Sequence, residues 1–155
     1  MVLANYFDTD DGSLPEIDVI YAEPSLVPFA FRHLYARGAR NVTRGGGFIW
    51  ISETRTEKSF AGPDDASLVE SGVAAPFHVV LADIVGLGCP IPPLGVFVLA
   101  DRITLDYRMG SEWAPAQIKS LLNLLRELQG LGGRVSTARW DHRFAQDLTA
   151  ALDAI

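Results

Sequence analysis

The run from Leu94 to Gly133 constrains the fold more than any other stretch, because two apolar segments and a long amphipathic one are joined by very short connections. Leu94 to Leu99 and Ile103 to Tyr107 flank only Ala100, Asp101 and Arg102, and a connection of that length forces an antiparallel hairpin. The helix expected over Pro115 to Gln129 follows directly. In it Ile118, Leu121, Leu122, Leu125 and Leu128 recur at three- and four-residue spacing, while Lys119, Asn123, Arg126 and Glu127 fall off that stripe. A helix with one apolar stripe buries it against a sheet.

The flanking sequence supplies further elements. Residues 1–14 carry Asp8, Asp10 and Asp11 beside Gly12 and read as an acidic, solvated arm. Ile17, Val19 and Tyr21 alternate with Asp18 and Ile20, which predicts a strand with one apolar face. Pro24 ends it, and Ser25 is placed to cap a helix running to Arg37, with Val27, Ala30, Phe31 and Leu34 inward and Gly38 as its stop. Phe48 to Ile51 is apolar on both faces and predicts a central strand. Ser52 to Phe60 reads either as the exposed end of that strand or as a second, edge strand, and Ala61 to Ser67 as a loop before a helical turn at Leu68 to Ser71. Phe77 to Val85 predicts another core strand, and the prolines of Gly86 to Pro93 a rigid connection. After Gly130, Gly132 and Gly133, Arg134 to Trp140 predicts a last strand; Asp141 then caps a helix whose inner side carries Phe144, Leu148, Ala151, Leu152 and Ile155. Too few helices fall between strands for a parallel doubly wound sheet. The expected fold is α+β, a mainly antiparallel sheet of five or six strands with helices packed on it, in one domain over residues 1–155.

Charge narrows the partners. With a net charge of −6 the chain is a poor match for nucleic acid or an anionic membrane, and a basic protein is the expected partner. Cys89, the only cysteine, allows no intrachain disulfide or multi-cysteine metal site, and the N-terminus lacks a positive region followed by an apolar core. A cytoplasmic location is expected.

No motif for catalysis, metal or cofactor stands out. His33, His78 and His142 lie at no metal-ligand spacing from one another, and His78 and Asp83, five apart on a strand, point to opposite faces. Arg44 with Gly45 to Gly47 precedes a strand, whereas phosphate loops precede a helix. Ser111, outside any GxSxG pattern, reads as a helix cap ahead of Pro115. Trp50, Trp113 and Trp140 are widely separated, and two of them fall at element boundaries, where they seal core edges. The densest negative clusters, Asp8, Asp10 and Asp11 together with Asp64 and Asp65, are the expected partner-binding residues, since neither is needed for a strand or helix.

The run ITLDYRMGSEWAPAQIKSLLNLLREL, in a small acidic domain, resembles the immunity proteins of bacterial polymorphic and contact-delivered toxins. The resemblance rests on residues 103–128, about a sixth of the chain. It implies a role, binding and neutralising a cognate toxin without catalysis, and no particular residue. The alternative is a small enzyme or ligand-binding domain that uses Arg44, His78 or His142 on the concave side of the sheet.

Overall fold

The computed structural model describes residues 2–137, 139 and 141–155. The strands are β1 (Glu16–Tyr21), β2 (Arg40–Asn41), β3 (Phe48–Ile51), β4 (Thr56–Ser59), β5 (Phe77–Ala82), β6 (Val85–Leu87), β7 (Cys89–Pro90), β8 (Leu94–Val98), β9 (Arg102–Tyr107) and β10 (Gly133–Ser136). The helices are α1 (Val27–Ala36), α2 (Ala66–Glu70), α3 (Pro115–Gly130) and α4 (His142–Asp153). Six strands make an antiparallel sheet in the order β10-β1-β9-β8-β5-β2, and β3–β4 and β6–β7 are separate hairpins. The α+β class and the sheet-plus-helix layering are as the periodicity predicts.

Alternation sorts the sheet into two faces. Ile17, Val19 and Tyr21 of β1, Phe77, Val79 and Leu81 of β5, Leu94, Val96 and Val98 of β8, and Ile103, Leu105 and Tyr107 of β9 are all buried on the helix side. The α3 stripe, Ile118, Leu121, Leu122, Leu125 and Leu128, is buried against this face, and the Tyr21 hydroxyl donates to the Leu128 carbonyl at 3.0 Å. From α1, Phe31 meets Phe77 edge to face at 5.7 Å.

The connection at 86–93 does more than span. Its β6–β7 hairpin grips α3 through Ser120, whose Oγ accepts from the Gly86 and Leu87 amides, each at 2.9 Å, and donates to the Cys89 carbonyl at 2.8 Å. A Cβ on Gly86 would overlap the Ser120 carbonyl, so only glycine permits this approach of hairpin to helix.

Several expectations need correction. Phe48 to Ile51 is no central strand: it pairs with β4 and otherwise makes one isolated bridge, Ile51 to Ala74, Ile49 alone is fully buried, and Phe48 and Trp50 are 58% and 47% exposed on the outer face. An apolar run shows that a strand has apolar faces, not that both are covered. Of the two readings of Ser52 to Phe60, the edge strand is the observed one, and the helical turn starts earlier than expected, at Ala66. Ser25 and Ser111 cap nothing; a tight turn over Pro24–Leu26 leads into α1, and α3 opens at Pro115 after Ala114, so prolines that lack an N–H set both starts. The N-terminal segment is docked rather than a free arm. Leu3 and Phe7 are buried, and Phe7 stacks on Tyr107 at 4.7 Å because the helices leave an apolar gap there that these side chains fill. At the other end, Asp141 accepts from the Arg143 and Phe144 amides at 2.8 and 3.3 Å, and Phe144, Leu148 and Leu152 are buried as expected, while Ile155 is exposed. The last strand is Gly133–Ser136; the expected Arg134 to Trp140 includes Ala138 and Trp140, outside the described residues.

Candidate functional site

The sheet face opposite the helices carries polar residues in register. One row runs Asp18, Thr104, Phe97, His78 across β1, β9, β8 and β5, and the next runs Glu16, Asp106, Gly95, Val80. Asp18 is buried in its row. It accepts from Thr104 Oγ1 at 2.6 Å and from Arg139 Nε and Nη2 at 2.9 and 2.7 Å, with Arg102 3.8 Å away. Burial alone works to raise its carboxyl, but these bonds and the guanidinium charges win and hold it below the usual carboxylate value.

A histidine–carboxylate pair joins the two rows. His78 Nε2 lies 2.7 Å from Asp106 Oδ2, two strands away, and donates to it across β8. Gly95 makes that reach available, since a Cβ there would overlap the Asp106 carboxylate. The bond to Asp106 raises the His78 imidazole above its ordinary value; partial burial opposes it, and the charges of Asp106 and Glu16 reinforce it. The His78 ring also sits 5.9 Å from that of Phe97, which is 37% exposed.

Two hollows meet at Asp106. A cleft of about 590 Å³ is lined by Asp10, Leu14, Pro93, Asp106, Arg108 and Glu112 among others, and a smaller one of about 200 Å³ by Glu16, Phe97, Leu99, Thr104, Asp106 and Arg139. Together they form a groove over the open face, with an aromatic side chain inside and charged groups along its rim.

The residues picked out from sequence scatter around this groove. Asp10 reaches its wall; Asp8 and Asp11 stand exposed nearby in sequence, Asp11 held below the usual carboxylate value by its bonds from Ser13. Asp64 is exposed and pairs with Arg32 at 3.0 Å. Asp65 is only 6% exposed and is spent internally, accepting from the Ala61 amide at 2.6 Å and pairing with Lys58 at 2.9 Å. Of the histidines, His78 alone is in the groove region. His33 pairs with Glu127 at 2.9 Å, where Arg37 joins and helps tie α1 to α3, and His142 is exposed at the start of α4. Asp83 pairs with Arg40, not His78, and Arg44 is exposed in its glycine turn. Among the described residues no group of three or more His, Cys, Asp or Glu is placed to hold a metal ion.

No known protein family, curated protein or solved structure matches this chain. The groove residues that sequence reasoning passed over, Glu16, Asp18, Gly95, Phe97, Thr104, Asp106 and Arg139, had one usable signal. Asp18, Thr104, Asp106 and His78 all occupy the off-beat of strands whose other beat is apolar, which marks a polar, uncovered face. Which of them become neighbours depends on cross-strand register, and no local pattern carries that.

Proposed function

We propose that this chain is a non-enzymatic binding protein of the toxin-immunity type, acting in the bacterial cytoplasm, and that it neutralises a basic protein partner by docking it on the open sheet face. The observation that supports this most is the groove itself: an exposed aromatic, Phe97, ringed by Glu16, Asp106 and Arg139, with Asp10 and Glu112 along the adjoining cleft. A central aromatic with a charged rim is the usual layout of a protein interface, in which a few buried side chains carry affinity and the rim supplies specificity and steering. Four carboxylates against two guanidinium groups along the hollows favour a cationic partner. Asp8 and Asp11, exposed in the same N-terminal segment as Asp10, add negative charge beside the groove, whereas Asp64 is paired with Arg32.

A second reading, a small enzyme or ligand-binding domain, draws on the hydrogen-bonded His78–Asp106 pair, an oriented imidazole of the kind general bases use. The two readings separate on Phe97→Ala. A binding protein loses affinity for its cognate toxin, by about tenfold or more for a central aromatic, with its thermal transition unchanged. Full affinity in that variant removes the open face from the interface.

A further inference from the structure

We propose that Asp106 is the docking point for a cationic side chain of the partner, and that His78 holds this carboxylate in the free protein and yields it on binding. The inference rests on the reading of the open face as the partner surface. Asp106 stands where the two hollows join, so any chain lying along the groove passes over it. Its carboxylate is directed not at a neighbouring strand but across β8, over the bare Cα of Gly95, onto an imidazole whose side chain is 39% exposed. A lysine or arginine would have satisfied Asp106 permanently. Histidine neutralises it only while protonated; the neutral ring offers the same Nε2–H without the charge.

Among the described residues His78 is the ion-pair partner of Asp106 and no lysine or arginine pairs with it, although Arg108 lines the same cleft. On the open face β8 offers Phe97 and Gly95, and β9 offers Arg102, taken up by Asp101 and Asp18, then Thr104 and Asp106 itself. From β1 comes Glu16, whose nearest guanidinium, Arg139, lies 3.6 Å away and is shared with Asp18. Toward β2 the neighbour is Thr43, bonded to the Val80 amide at 2.8 Å, and Arg40 is taken up by Asp83. Asp106 and Glu16 thus face each other as like charges, and an incoming guanidinium or ammonium group between them would replace the imidazolium. The displaced proton goes from His78 to the buffer. Binding of a cation therefore lowers the titration midpoint of His78, and by reciprocity protonation of His78 weakens binding of the cation.

The probe is a hexa-arginine peptide, titrated into the full chain with the His78 imidazole followed by NMR and the heat measured in two buffers of different ionisation enthalpy. The account predicts that saturating peptide lowers the His78 midpoint, that protons are released at about pH 6, and that affinity falls roughly fivefold between about pH 8 and about pH 5.5. His78→Gln should bind with no pH dependence over that range, and Asp106→Asn should lose most of the affinity, while Asp153→Asn, remote on α4, should lose none. If peptide affinity drops in an Asp10→Asn, Glu112→Gln variant but the His78 midpoint stays fixed at saturation, the exchange is wrong and the basic-partner surface stands. If the peptide does not bind, or binds equally to Asp106→Asn, the surface reading fails and takes the exchange with it.

Discussion

At the scale of single residues, the open face and the packing of α3 depend on atoms that are missing as much as on those present. Gly95 and Gly86 each sit where a methyl group would overlap a neighbour, the first at the Asp106 carboxylate and the second at the Ser120 carbonyl. Gly95→Ala should therefore lower stability by about 1–3 kcal/mol and return the His78 titration toward its ordinary value, readable by thermal unfolding and NMR. The sign of the pH dependence follows from the direction of each shift. His78 is raised in the folded chain, so the stability of its pair is present in full below its unfolded midpoint and is lost as pH rises through the folded one. Asp106→Asn should accordingly destabilise the protein more at about pH 5.5 than at about pH 8.5. Equal losses at the two would show that the charge on His78 contributes nothing to stability. Asp18, being lowered, behaves oppositely: its contribution is present above the ordinary carboxylate value of 3.8 and is lost as pH falls through the depressed one. Asp65→Ala should cost about 1–3 kcal/mol, since the Ala61 amide would lose its acceptor and Lys58 its partner. Asp64→Ala, on an exposed pair, should cost under about 1 kcal/mol.

At the scale of elements, legibility followed how local each determinant is. The β8–β9 hairpin and α3 could be read directly, because a three-residue connection and a repeated apolar stripe contain their own geometry. The cap at Asp141 was legible for the same reason, and Asp141→Ala should lower stability by about 1 kcal/mol in denaturant unfolding. The apolar run at Phe48–Ile51 misled, since whether its outer face is covered depends on chain far away in sequence. Leu3 and Phe7 were hidden among acidic neighbours, where composition outweighed two well-spaced apolar side chains. The site was the least legible part. His78 was visible as a histidine and Asp10 as an acid, but the Asp106 partner and the clearance at Gly95 arise from the register of three strands. Leu122→Asp tests the helix face that was read correctly: it places a charge at a position 4% exposed, and cooperative unfolding should disappear. A near-native transition would mean that this face of α3 does not meet the core.

At the scale of the whole molecule, helices fill one side of the sheet and leave the other to side chains and solvent. The uncovered side holds a hollow lined by Asp10, Glu16, Asp106 and Glu112, and under the proposed function these carboxylates would steer a basic protein to it. Steering of this kind weakens with salt, while contacts made by Phe97 in the bound state act on dissociation. The most direct test of the account is the association rate with the cognate toxin at low and physiological ionic strength, for the natural chain and for a variant carrying Asp10→Asn and Glu112→Gln. The account predicts a rate that falls steeply with salt in the natural chain, and a slower, flatter one in the variant at unchanged thermal stability. Equal rates and equal salt dependence in the two proteins would contradict it.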